Sequence, residues 1–325
     1  MHAITVPNPG GTDSLVFAEL TDPTAGHGEV LIEVAAAGVN RADIGQREGH
    51  YPSPTGASPL MGMEVSGIIS SLGPGVSGWA VGDRVCALLP GGGYASLAVA
   101  TEGQLLPVPD SLDLVDAAGL PEAIATVWSN VFLTAAIRAG ETLLVHGGSS
   151  GIGTIAIQLA RAFGSLVAVT AGSTAKLAAC ERLGAAILIN YRTEDFAERI
   201  AEATDGRGVD VILDSIGGGY LERNLAVLAP HGRLVNIANL SGEPGTLDLG
   251  LMMRRWLSIH GSTLRARSVA EKDEILASVR ENVWPLVTTG QVVPVIDSRF
   301  SLADAASAHQ RLESSEHIGK LLLLP

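Results

Sequence analysis

The chain has 325 residues, 46% hydrophobic but only 4% aromatic, with 39 glycines, two cysteines and a formal net charge of −13. That length favours two domains over one core. The composition suits an α/β protein with a buried parallel sheet, and the negative charge disfavours a groove for phosphate backbones, so no nucleic-acid partner is expected.

Cys86 and Cys180 match no metal or disulfide spacing and fit a reducing compartment. The N-terminal MHAITVPNPGG has no signal-peptide pattern. No apolar run approaches the ~20 residues of a membrane span. The expectation is a soluble, cytoplasmic protein with no membrane partner.

Up to Leu120 the chain reads as short strands punctuated by glycine and proline. Residues 29–34 alternate as a half-buried strand should. A loop follows that carries Tyr51 with Pro52, Pro54 and Pro59, then a strand signal over 62–69. Val81-Gly82-Asp83-Arg84-Val85 reads as a turn into another strand, and Gly91-Gly92-Gly93 as a loop with exposed backbone. This rhythm predicts a β-rich, barrel-like domain.

At Leu120-Pro121-Glu122-Ala123 the pattern changes, and apolar spacing predicts a helix over 123–136. Residues 142–146 then form an apolar strand that breaks into Gly147-Gly148-Ser149-Ser150-Gly151-Ile152-Gly153. A helix with Ile152, Ile155, Leu159 and Phe163 on one face follows, then a strand over 166–170. Strand, glycine loop, helix and strand make a βαβ unit whose loop lets backbone approach a pyrophosphate, with a helix N-terminus to hold the anion. Spacing alone allows Gly151-x-Gly153-x-x-Ala156; the strand end favours Gly148-x-Ser150-x-x-Gly153.

Further strands are expected at 187–190, 209–214, 233–238 and 258–263, completing a doubly wound dinucleotide-binding domain. A charged helix over 270–287, a strand at 292–296, a helix around 302–312 and a strand at 320–324 close the chain.

Taken together, Gly38-Val39-Asn40-Arg41-Ala42-Asp43, Gly62-Met63-Glu64, Leu89-Pro90-Gly91-Gly92-Gly93, Pro121-Glu122-Ala123, the run His146 to Gly153, Thr170-Ala171-Gly172-Ser173, Asn190-Tyr191-Arg192 and Ile318-Gly319-Lys320 resemble the zinc-independent quinone oxidoreductases of the medium-chain dehydrogenase/reductase superfamily. The sequence looks closest to the tumour-suppressor-inducible branch. The resemblance implies an α/β fold with a GroES-like β-rich catalytic domain (1–121 and 265–325) and a Rossmann domain (122–264). It also implies NADPH, a small quinone acceptor and a homodimer through the Rossmann edge strand.

The zinc dehydrogenases of this fold place a histidine where this chain has Met63, and a thioether is a poor zinc ligand. The first cysteine ligand's neighbourhood holds Val39 and Asn40, so no metal is expected. Glu64 reads as a structural carboxylate.

For the cofactor, Gly148, Ser149, Ser150, Gly151, Ile152 and Gly153 form the phosphate loop. NAD-binding relatives carry an acid after the second strand; here stand Gly172 and Ser173, with Lys176 placed to meet a 2′-phosphate. Tyr191 and Arg192 resemble an adenosine contact, although Glu194 or Asp195 could pair with Arg192. By resemblance, Asn40 bonds the nicotinamide ribose, Thr126 faces the ring, and Ser215, Gly217, Asn239 and Leu240 line the cofactor's path. Asn40 can equally close an Asx turn, and Asp43 reads as a helix cap or partner of Arg41.

Tyr51 and Met63 are the candidates for substrate binding, with Tyr51 able to stack on a quinone or donate to its oxygen. Tyr94 is a weaker candidate. His50 and His146 read as structural, and Lys320 as a strand-edge charge. The expected reaction is metal-free hydride transfer from NADPH to a quinone. The alternatives are reduction of an enone C=C on the same fold, and an NADPH-holding redox sensor or RNA-binding protein.

Overall fold

Residues 1–325 are described by a computed structural model, in which the chain divides into Met1–Ala125 with Leu264–Pro325, and Thr126–Thr263. In the first unit β1 (His2–Thr5) and β2 (Val16–Glu19) form a two-stranded ribbon. β3 (Glu29–Val39) buries Val30, Ile32 and Val34 on one face, then is buried throughout from Ala36 to Val39. α1 (Arg41–Arg47), β4 (Glu64–Leu72), β5 (Arg84–Leu88), β6 (Leu97–Thr101), β7 (Leu105–Pro107) and α2 (Pro121–Val127) follow.

The helix expected over 123–136 changes pitch. α2 gives way to a π-helical turn at Trp128–Thr134, where Trp128 stacks on Phe132 at 4.7 Å and both rings meet Phe163. The second unit then alternates β8 (Thr142–His146), α3 (Gly151–Ala162), β9 (Leu166–Ala171), α4 (Thr174–Leu183), β10 (Ile187–Asn190), α5 (Phe196–Ala203), β11 (Val209–Asp214), α6 (Leu221–Val227), β12 (Leu228–Asn236), α7 (Leu249–Arg255) and β13 (Ser258–Gly261). Every strand pair is parallel, in the order β10-β9-β8-β11-β12-β13. This is the doubly wound Rossmann sheet. Its order reverses between β8 and β11, the place where such sheets bind ligands beyond their carboxyl ends.

The chain returns to the first unit through α8 (Val269–Asn282), α9 (Trp284–Thr288), β14 (Ile296–Ser301), α10 (Ala305–Glu313) and β15 (Lys320–Leu324). The single helix expected over 270–287 is two, with Pro285 near the start of the second. The strand expected at 292–296 begins only at Ile296.

β15 lies inside a seven-stranded sheet, parallel to β14 and antiparallel to β3. Lys320 is therefore buried within the sheet rather than at an edge, contrary to the sequence expectation. Gly91 and Gly93 are buried as well, which corrects the expected exposed backbone. A Cβ on Gly91 would come within 2.7 Å of the Ser58 carbonyl, and Gly93 N–H donates to Gly62 O (3.0 Å). The glycine run serves close packing of one loop on another.

Candidate cofactor and active site

In the Rossmann unit β8 ends at His146, and the Gly147 and Gly148 N–H groups both donate to Thr170 O (3.1 and 3.0 Å). Ser150 is the N-cap of α3, its Oγ accepting from Gly153 N–H (3.0 Å). A Cβ on Gly148 would lie 2.6 Å from the Val169 Cβ; one on Gly153 would lie 2.4 Å from Gly147 O. A side chain at either position would displace its neighbours. Ser149 is buried within the loop, while Gly151 and Ile152 supply first-turn N–H groups that the helix itself leaves unpaired.

β9 ends without a carboxylate. Ser173 caps α4, accepting from Lys176 N–H (3.3 Å), so Lys176 sits in the first turn. A Cβ on Gly172 would come within 2.6 Å of Tyr191 Oη and 3.2 Å of Arg192 Nε, which places both side chains against the end of β9. Neither acid suspected of pairing with Arg192 does so. Glu194 accepts from Asn190 N–H (2.7 Å) and pairs with Arg199 (3.0 Å). Asp195 caps α5 and bonds Arg223 (3.2 Å).

Across the switch point, buried Asp214 holds the next loop, accepting from Ile216 N–H (2.7 Å) and Gly217 N–H (3.1 Å). Gly217 takes φ +84° there. Ser215 O accepts from Leu240 N–H (3.1 Å) and Asn239 Oδ1 from Gly218 N–H (3.1 Å), stapling the two loops. Gly217 and Asn239 border an open cavity of about 710 Å³ that Ile237, Ile259 and Ser262 also line. Thr126 is buried; its carbonyl accepts from Asn130 Nδ2 (2.8 Å), and Asn130 Oδ1 accepts from Ser262 Oγ (2.5 Å).

In the first unit Asn40 is the N-cap of α1 in a reciprocal capping box with Asp43. Its side chain also donates to Glu64 Oε1 (2.9 Å) and accepts from Lys320 Nζ (2.7 Å). Lys320 donates to Glu64 Oε1, and Glu64 Oε2 accepts from Glu122 N–H (2.9 Å). Asp43 does not pair with Arg41, which reaches Ser315 Oγ instead (3.3 Å). Burial pushes the Asp43 carboxyl up to about 6. Burial, then the neighbouring Glu64, pushes Glu122 up to about 8. Met63 is buried and follows Gly62, held at φ +95°.

Sequence reasoning missed the chain behind Asp43. Tyr94 Oη donates to Asp43 Oδ2 (3.2 Å) and faces His309 Nε2 (3.1 Å), while His309 Nδ1 faces Arg47 (3.4 Å). Arginine can only donate, so Nδ1 accepts and Nε2 carries the proton, an assignment taken from the network. Burial, then Arg47, lowers His309 to about 4. Tyr94 is wholly buried in this chain.

Arg265 was missed too. It donates to Pro90 O (2.7 Å), Gln46 Oε1 (2.8 Å) and Ser53 Oγ (3.0 Å), and its guanidinium lies 5.4 Å from the Tyr51 ring centre. Burial, then Glu122, raises the Tyr51 phenol. No local pattern marks these residues, because their partners are remote in sequence.

No group of three or more His, Cys, Asp or Glu side chains is placed to share a metal ion. No helix is long and apolar enough to cross a membrane.

Residues 26–110 match the family described as alcohol dehydrogenase GroES-like domain, and residues 151–279 that described as zinc-binding dehydrogenase. A quinone oxidoreductase from Pseudomonas aeruginosa is 33% identical over 317 residues, 97% of each chain. The Escherichia coli quinone oxidoreductase solved with NADPH is 30% identical with a TM-score of 0.90, covering both chains fully. The CurK enoyl reductase structure is 29% identical with a TM-score of 0.88, over 99% of this chain and 98% of that one. The chain also matches the phthioceranic/hydroxyphthioceranic acid synthase of Mycobacterium tuberculosis, 33% identical over 98% of this chain but only 15% of that protein's length. Full-length identity at this level, on a GroES-like domain and a parallel six-stranded Rossmann sheet, makes the chain a member of the medium-chain dehydrogenase/reductase superfamily, similar to its quinone oxidoreductases and enoyl reductases.

Proposed function

We propose that the protein reduces a small quinone with NADPH, by hydride transfer and without a metal. The observation that carries this reading is the likeness to the Pseudomonas quinone oxidoreductase along nearly the whole of both chains. The residues fit the cofactor. Gly148 and Gly153 let the loop pack tightly against β9 and against itself at the start of α3, and β9 is followed by Gly172 and Ser173 instead of an acid that would repel a 2′-phosphate. Bound NADPH would supply the hydride from its nicotinamide C4.

The remaining steps belong to the chain. The first turn of α3, with Ser149 and Ser150, holds the pyrophosphate; Lys176 and Tyr191 meet the 2′-phosphate and adenosine. Ser215, Gly217, Asn239 and Leu240 line the path, Asn40 bonds the nicotinamide ribose and Thr126 faces the ring. Tyr51 stacks on the quinone and donates its proton to the reduced oxygen, with Met63 as an apolar neighbour.

Zinc does not fit the donors present. Met63 offers a thioether, and Glu64 is already engaged by Lys320, Asn40 and the Glu122 N–H. A quinone needs no Lewis acid, because aromaticity stabilises its reduced form. Metal analysis finding one zinc per chain would overturn this part.

We also propose a homodimer through the β13 edge. Leu249, Met253 and Trp256, on and beside α7 in the same unit, are each more than 60% exposed, an apolar face that a second copy would cover. Light scattering that shows a monomer would refute it.

A second reading, reduction of an enone C=C, is favoured by the similarity to CurK enoyl reductase. NADPH oxidation with ortho-quinones, para-quinones and enones separates the two. Enone turnover far above every quinone would sink the first reading, and tight NADPH binding without turnover of any acceptor would favour a sensor.

A further inference from the structure

Beneath the two cofactor loops of the Rossmann unit, a closed set of buried polar groups joins the carboxyl ends of β8, β9, β11 and β12. His146, the last residue of β8, is 3% exposed and sits at its centre. Its Nε2 is 2.7 Å from Asn224 Oδ1 and its Nδ1 is 3.2 Å from Thr170 Oγ1. Asn224 Nδ2 donates to Asp214 Oδ2 (3.1 Å), which also accepts from Asn236 Nδ2 (3.1 Å) and Gly217 N–H (3.1 Å). Thr170 Oγ1 in turn accepts from Gly147 N–H (3.3 Å).

The donors and acceptors allow one arrangement. Asn224 spends its amide on Asp214, so its oxygen faces His146 and Nε2 must donate. Burial favours the neutral ring, so Nδ1 is an acceptor, and the Thr170 hydroxyl donates to it while accepting from Gly147. The imidazole is neutral, and each of its two nitrogens leads to a different loop: Nδ1 through Thr170 to Gly147 at the start of the glycine loop, Nε2 through Asn224 and Asp214 to Ile216 and Gly217.

The ring has little freedom to move. Phe196 and Tyr220 pack edge-on against it at 4.7 and 4.9 Å, and the Arg223 guanidinium lies over both of those rings. Burial holds the imidazole below its ordinary range, with Arg223 adding to the effect while Asp214 and Asn224 oppose it.

We propose that His146, as the neutral Nε2–H imidazole, is a positioning residue that sets the distance between the glycine loop and the Ser215–Gly217 loop, and so pre-forms the site for both halves of the dinucleotide. The inference rests on the dinucleotide reading above. It differs from a contact residue in its signature. His146 acts on the loops and not on the 2′-phosphate, so its loss weakens NADPH and NADH by the same factor. It also raises the cofactor KM while leaving kcat at saturating cofactor nearly unchanged. An imidazolium at this position would put a proton on Nδ1, displace the Thr170 hydroxyl hydrogen, and face Arg223 across the aromatic pair. Cofactor affinity therefore falls at pH values below the ordinary imidazole range. The charged groups that face the ring are Asp214 and Arg223, with the Tyr220 phenol beside them.

The experiment is a Kd for NADPH and for NADH, with thermal unfolding as a fold control, on the wild-type chain, His146→Leu and His146→Gln. Leucine removes both links; glutamine keeps a donor near the Nε2 position but has no group that gains a proton in acid. The leucine variant is expected to raise both Kd values about thirtyfold, the order of two lost buried hydrogen bonds. Glutamine should recover most of that loss and show no acid-dependent weakening. If the leucine variant does not fold, Thr170→Val breaks the Nδ1 link alone and is expected to weaken both cofactors alike. A folded variant with wild-type Kd values, or one that weakens NADPH only, overturns the inference. A wild-type chain that binds neither cofactor refutes the dinucleotide reading itself.

Discussion

Lys320 and Glu64 form an ion pair in the interior of the first unit, where Glu64 is fully buried and Lys320 is 4% exposed. Asn40 bonds both partners and the Glu122 N–H takes the remaining carboxylate oxygen. Removing one partner leaves a buried charge without compensation. Lys320→Met is expected to cost about 3–5 kcal/mol, and the double variant Glu64→Gln, Lys320→Met to cost less than that single change. Urea unfolding of both variants measures this, and a double variant that is the less stable of the two would contradict it.

Stability should depend on pH through Glu122. A carboxyl raised from 4.5 to about 8 keeps its proton in the folded chain after the unfolded chain has lost it, so stability falls as pH rises through that window. Asp43, raised to about 6, acts in the same sense between pH 3.8 and 6. His309, lowered to about 4, acts in the opposite sense between pH 4 and 6.5 and offsets it. From pH 6.5 to 8 Glu122 acts without that offset, and a loss on the order of 1–2 kcal/mol is expected. Denaturant midpoints at the two pH values should differ in the wild type and converge in Glu122→Gln.

Lys176→Ala should weaken NADPH ten- to a hundredfold and leave NADH nearly unchanged, since a charge-assisted hydrogen bond contributes about 1.5–3 kcal/mol. Arg192 has no carboxylate partner, because Glu194 and Asp195 are engaged with Arg199 and Arg223. Arg192→Ala should therefore shift the NADPH to NADH preference in the same direction. Equal effects on the two cofactors would remove the phosphate assignment.

Tyr51→Phe keeps the ring over Arg265 and deletes the proton. A drop in kcat of about a hundredfold with little change in KM is the expected result for a proton donor. Tyr51→Ala should raise KM as well, because the stacking surface goes with the hydroxyl. A phenylalanine variant with wild-type kcat would confine Tyr51 to stacking.

Gly153→Ala tests the close packing of the glycine loop. Its methyl group would meet Gly147 O at 2.4 Å and Gly148 O at 2.6 Å, which costs about 1–3 kcal/mol of overpacking and pushes the loop out of shape. NADPH titration should show weaker binding together with a lower unfolding midpoint.

Much of this molecule is written locally. The strand–loop–helix run from Thr142 to Ala162, the strands on either side and the return strand at Lys320 are legible because a period of two or 3.6 residues, a cap such as Ser150 and a glycine at a turn each act within a few positions. The missing acid after β9 and the methionine at position 63 are equally plain in the sequence.

What the sequence left open depends on register between remote strands. Lys320 reads as an edge charge until β15 is set between β14 and β3, which buries it against a glutamate 256 residues away. Tyr94 reads as a minor site candidate until α10 brings His309 to it, and the triple glycine reads as exposed until the Ser58–Gly62 loop closes on it. Periodicity determines which face of an element is apolar. Only tertiary packing decides which buried polar groups meet, and their burial and pairing fix the charge each one carries.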